Sequence, residues 1–205
     1  MSKILKAWER AYSQEFFDQL PQNWQRRSFL FGSAKTAAAL SLAPLLAQLS
    51  ACKRQETAQL DLKQHPWPTF AAVHEVLFPA DGNGPSAHDI LSTQYLQLLL
   101  QTPDFDAEER KFILEGVAWL DQYAQEQNKK AFLALNVPQR DAVLRAIAES
   151  SAGDRWLNAL LIYVLEALLC DPVYGGNPQG IGWQWLQHQA GFPRPTQPYY
   201  LQAKL

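Results

Sequence analysis

The stretch from Arg155 to Cys170 is apolar almost all the way round a helical wheel. A helix of that kind has no face to give to water, so the rest of the chain has to cover it. The segments before it carry apolar residues at helical spacing. Phe70, Val73, His74, Leu77 and Phe78 share one face, stopped by Pro79 and the turn-rich run Asp81-Gly82-Asn83-Gly84-Pro85. Ser86–Gln101 predicts a second helix, with Ile90, Leu91, Tyr95, Leu98 and Leu99 inward and Pro103 beyond its end. Asp106 reads as the N-cap of a long helix whose first turn holds Glu108 and Glu109, where carboxylates favour the helix dipole. Asn136-Val137-Pro138 precedes a helix over Gln139–Ala148, and Ser151-Ala152-Gly153-Asp154 separates it from the core helix. No segment alternates as a strand does. The fold class is all-α: a single domain of about five helices closed by an irregular Gly/Pro/aromatic C-terminal segment.

Composition removes several classes of function. The chain has 205 residues, of which 47% are hydrophobic, enough for a real core. A net charge of −2 with only 19% charged residues leaves no basic field for nucleic acid. Two cysteines and four histidines at scattered positions give neither a disulfide framework nor a metal quartet. There is no GxGxxG, no CxxCH and no P-loop, so no cofactor is expected in this chain.

The N-terminal quarter reads as an address. Arg26-Arg27-Ser28-Phe29-Leu30 sets two arginines ahead of an Ala/Leu-rich stretch without acidic residues that runs to Leu49. The pair with Phe29 and Leu30 resembles the twin-arginine motif, an address for the Tat translocase. Lys35 inside that stretch would cost about 2–3 kcal/mol in a permanent membrane helix, which favours a passing signal over an anchor. Leu49-Ser50-Ala51-Cys52 resembles a lipobox, with Cys52 as the lipidated thiol. Acyl chains there would hold the protein to a membrane at about 0.8 kcal/mol per buried methylene. Residues 1–24 precede the arginines, with Ile4, Trp8, Ala11, Tyr12, Phe16 and Leu20 at helical spacing. They read as a short amphipathic helix or as the product of a misplaced start. The expected organisation is an extension and signal over 1–52, a polar tether over 53–66 and a helical domain over 67–205. The expected location is the periplasm or the periplasmic face of a membrane.

Beyond the core helix lie Asp171-Pro172-Val173-Tyr174-Gly175-Gly176-Asn177, Gly180-Ile181-Gly182-Trp183-Gln184-Trp185 and Gly191-Phe192-Pro193-Arg194. Glycines and prolines at this density fold by turns, and the aromatics offer contact area at little entropic cost. Such a segment is either a docking surface or a wrap that seals the chain's own core; the residues alone leave both open.

These motifs, with Leu77-Phe78-Pro79-Ala80-Asp81 and Gly84-Pro85 before them, resemble the gluconate 2-dehydrogenase subunit 3 family over roughly Phe70 to Pro195. Pro178 stands where that family often has arginine, and Arg194 where glycine is usual. The resemblance implies a non-catalytic small subunit. Its partner would be a large FAD-containing dehydrogenase of the glucose–methanol–choline type, oxidising a sugar, sugar acid or polyol, with a c-type cytochrome as a further member. It implies shared export on this chain's signal, and partner contacts through Tyr174, Gly175, Gly176, Asn177, Gly182, Trp183, Trp185 and Phe192.

Two other readings compete. A free-standing lipoprotein enzyme would need His74-Glu75 or His88-Asp89 as acid–base groups. His74 lies on an apolar face, however, where a hydrogen-bonded core histidine is the commoner outcome. Cys170 sits in apolar surroundings that raise a thiol's pKa. The other reading is a cell-envelope lipoprotein with a binding or scaffolding role. Asp81-Gly82-Asn83-Gly84 lacks the closing glutamate of a calcium loop and reads as a plain turn.

Overall fold

A computed structural model describes residues 2–12 and 62–198. Arg26, Arg27, Phe29, Leu30, Cys52 and residues 53–61 of the expected tether lie outside the described residues. Within them seven helices and no strand are found: α1 (Lys3–Ala11), α2 (Trp67–Leu77), α3 (Ser92–Gln101), α4 (Ala107–Asn128), α5 (Val137–Ala148), α6 (Ser151–Leu169) and α7 (Ile181–Trp185). The all-α expectation holds. Two helices come from outside the five main ones: α1 from the N-terminal extension and α7 from the C-terminal segment.

Helix α6 is the axis, and each of the other six helices among the described residues packs against it. Its inward residues Trp156, Leu160, Val164, Ala167 and Leu168 are buried. Trp156 sets the spacing to α4. Its indole Nε1 donates to the carbonyl of Ile113 at 3.0 Å. The ring fits because residue 116 is glycine; a Cβ there would lie 1.9 Å from the indole nitrogen. Leu120, Ile113 and Val117 of α4 complete that layer.

Helix boundaries follow local chemistry. Asp106 caps α4, its carboxylate accepting from Glu109 N–H at 2.8 Å. Asn136 and Gln139 form a reciprocal capping box on α5, with bonds of 3.0 and 3.1 Å. Arg110 reaches back from α4 to the carbonyls of Leu100, Thr102 and Phe105, satisfying groups left open where α3 ends.

Two boundaries differ from expectation. Helix α3 starts at Ser92, not Ser86, because Leu91 takes a left-handed conformation (φ 57°) that no α-helix continues through. Ser86–Ile90 instead form a turn held by the Asp89 carboxylate, which accepts from Ser86 N–H and Oγ–H, both at 2.9 Å. Helix α6 includes Ser151-Ala152-Gly153-Asp154 as its first turn. Ser150 Oγ caps Gly153 N–H at 3.1 Å, so the small polar residues start the helix instead of separating two.

His74 is fully buried on α2, its Nδ1 2.9 Å from Ser92 Oγ. This is the hydrogen-bonded core histidine expected from its face. Burial lowers its pKa to about 3, so the folded protein keeps it neutral. The unfolded chain takes up a proton below about pH 6.5 that the folded one refuses, so this site weakens the fold as pH falls from 6.5 towards 3. Replacing His74 by Gln should remove about 1.4 kcal/mol per pH unit from the acid-side slope of stability, read from urea unfolding between pH 4 and 6.5. Gly116→Ala should cost about 1–3 kcal/mol, because a buried indole has no room to retreat.

Candidate functional site

A helix end leaves its last carbonyls without intrahelical partners, and α6 ends at Leu169 against the C-terminal segment. The C-terminal segment supplies the missing donors. Asn177 is fully buried and links three elements. Its Nδ2 donates to the carbonyl of Cys170 at 2.9 Å. Its Oδ1 accepts from Gly182 N–H, in the first turn of α7, at 2.7 Å. Its own N–H donates to the carbonyl of Ile90 at 3.0 Å. Trp183 Nε1 takes the carbonyl of Leu169 at 2.8 Å. Gly182 lets α7 lie on the end of α6: a Cβ there would fall 2.2 Å from the carbonyl oxygen of Leu168.

Asp171 shapes the exit from α6. Its carboxylate accepts from Val173 N–H at 3.2 Å and pairs bidentately with Arg194 at 2.8 and 3.1 Å. Arg194 holds the Asp171 carboxyl below its ordinary range, against a smaller opposing effect of burial. The same guanidinium lies over the Trp183 ring, 5.0 Å from its centroid. The segment is therefore pinned at both ends of its course.

Trp185 joins this segment to the loop after α2. Its Nε1 donates to the carbonyl of Asn83 at 2.7 Å, its indole lies over Gly84, and Phe78 meets it edge-on at 6.2 Å. The two motifs that carry the resemblance, about a hundred positions apart in sequence, are one contact in space. Asp81 accepts from Asn83 N–H and Nδ2, at 2.9 and 3.1 Å, which gives the plain turn expected there.

The expected contact residues fall into two groups. Gly176, Asn177 and Gly182 are buried within the closure of α6. Tyr174 and Gly175 are half-buried, Tyr174 against the cluster of Ile90, Tyr95, Val164, Ala167 and Leu168, Gly175 against Leu98. Trp183 is half-buried, while Trp185 is 41% and Phe192 83% exposed. Beside them lies a stripe the sequence reading missed. Ile162, Leu165 and Leu169 follow one another at helical spacing on the outer side of α6 and are 40–49% exposed, and Leu186 is exposed after α7. The composition of residues 155–170 signals only that the helix is apolar all round; which of its leucines meet water is set by packing.

Other chemistry is sparse. A cleft of about 390 Å³ between α2 and α3 is lined mainly by apolar atoms of Trp67, Ala71 and Leu91, with Glu75 and His88 at its edge. Glu75 there accepts from His88 N–H at 2.8 Å, and His74 is sealed in the core. The His88 ring and the Asp89 carboxylate, 3.9 Å apart, both lie at the surface. Burial pushes the Cys170 thiol up to about 11. Among the described residues no three His, Cys, Asp or Glu side chains converge as a metal site. Among them, too, no helix is long and apolar enough to cross a membrane.

Residues 64–191 match the family model described as gluconate 2-dehydrogenase subunit 3, a span that takes in α2 to α7 and the closure of α6. No curated protein and no solved structure matches the chain.

Asn177→Ala strips the partners from Cys170 C=O and Gly182 N–H inside the protein. It should cost about 2–4 kcal/mol in chemical denaturation. Asn177→Asp sets a buried carboxylate oxygen against the Cys170 carbonyl and should cost at least as much.

Proposed function

The chain belongs to the gluconate 2-dehydrogenase subunit 3 family, a small subunit of dehydrogenase complexes, and from that premise we propose that it is the non-catalytic member of an exported FAD-dependent dehydrogenase. Its companion is a flavoprotein of the glucose–methanol–choline type acting on a sugar, sugar acid or polyol, with a c-type cytochrome as electron acceptor. The flavin belongs to the companion. This chain supplies the docking surface, the Tat address at Arg26-Arg27 and membrane attachment at Cys52, on the periplasmic side.

One observation carries the docking role. Ile162, Leu165 and Leu169 stand exposed on the helix that every other helix buries, and the exposed rings of Trp185 and Phe192 belong to the segment that closes its end. Large apolar groups held to rigid backbone lose little entropy on association, and aromatics dominate such interfaces. The buried half of the C-terminal segment fixes the position of the exposed half. Tyr174, Asn177 and the glycines thus serve the partner through the shape they impose, and Trp183, Trp185 and Phe192 through contact.

The test is a co-purification of the flavoprotein on this chain, after expression of both. Leu165→Glu with Leu169→Glu should cut retained flavin at least tenfold, since a charge at an interface core goes unpaired. Both positions are solvent-exposed, so thermal stability should shift by less than about 1 kcal/mol. Full retention of the yellow protein by this double variant would refute the assigned surface. Visible flavin absorbance or turnover in the chain purified alone would refute the non-catalytic role.

A further inference from the structure

Helix α1 lies ahead of the whole address segment, yet it is packed into the same body as residues 62–198. Ser2 Oγ caps it, accepting from Ile4 N–H at 3.1 Å. Leu5, Trp8 and Tyr12 are buried between α4 and α6. Trp8 stacks on Trp119 with centroids 6.3 Å apart and meets Trp156 edge-on at 5.9 Å; Tyr12 meets the Phe112 ring at 4.8 Å. Polar ties sit at the rim: Ser2 Oγ donates to Glu126, Tyr12 Oη to Glu115, and Ser151 N–H donates to Glu9 at 3.1 Å.

Three features bear on how firmly this helix is held, and the first separates it from the others. It lies outside the family span of residues 64–191. Among the described residues the Trp8 indole N–H is buried without an acceptor, a defect that weakens its seat. The Trp156 indole donates its hydrogen bond to Ile113 and packs on Phe70 at 6.3 Å, so its polar group does not depend on α1. Nine residues are too few to persist as a free helix in water, so α1 is ordered by docking alone.

We propose that the α4–α6 groove is a docking surface for the chain's own N-terminal helix, held as a releasable latch that must let go before the chain is exported. Arg26 and Arg27 lie between Tyr12 and Leu62, both of which belong to the same folded body. An address fastened at both ends to its cargo can enter a translocase only as a loop, and extended entry needs one end released. Of the two attachments α1 is the shorter, fixed by three buried side chains and three hydrogen bonds at the rim. The export half of this inference rests on the address reading above.

Native-state hydrogen exchange on the full, unprocessed chain tests the latch directly. Amides of Lys6 to Tyr12 should open by themselves, on the order of a hundredfold more often than those of Val164 to Leu168. Exchange of both sets through one global opening would overturn the latch. Trp8→Ala should raise the separate opening by on the order of a hundredfold and speed appearance of the processed form in cells. Trp8→Phe is the milder variant if alanine prevents folding, and should shift both in the same direction. Looser docking with processing at or below the wild-type rate would overturn the export half. Export that continues with Arg26→Lys and Arg27→Lys would instead show that the address reading has failed, leaving the exchange result to decide the latch.

Discussion

An apolar nineteen-residue helix inside a chain of this size must be covered on nearly every side, and that constraint organises the rest of the molecule. Helices α2 to α5 supply most of the cover, with α1 and α7 filling what remains. Glycine permits close approach at two tight places, Gly116 under Trp156 and Gly182 against the Leu168 carbonyl. The uncovered remainder, Ile162, Leu165 and Leu169, is the surface the proposed partner would take.

The C-terminal segment resolves an ambiguity that its composition could not. It seals and it displays. Asn177, Trp183 Nε1 and the glycines satisfy or approach the backbone where α6 ends, and this is core closure. The same turns carry Trp185 and Phe192 outward, while the Asp171–Arg194 pair braces the path between them. Arg194 has a definite task here: it neutralises Asp171 and covers the Trp183 ring.

The N-terminal helix makes the organisation of the chain less linear than an address followed by a tether and a domain. Residues 3–11 belong to the folded body, whereas Arg26, Arg27 and Cys52 lie outside the described residues. A helix held mainly by aromatic contacts, with one buried donor unanswered, is well suited to a docking that has to be reversed.

Much was legible in the residues alone. Periodicity of 3.6 placed α2, α4, α5 and α6, and Asp106 marked the start of α4, because these signals are local and act through the backbone beside them. The family motifs were legible for the same reason. What stayed hidden depends on residues far apart in the chain. The left-handed Leu91 that shortens α3, the Ser150 cap that lengthens α6, the meeting of Trp185 with Asn83 and the seat of Trp8 against Trp119 and Trp156 are all selected by packing. The sequence by itself determined which segments are helical and that one of them needs covering. Only tertiary structure decided which face of that helix stays bare and which side chains close its end, because burial is a property of the assembled chain and no single segment carries it.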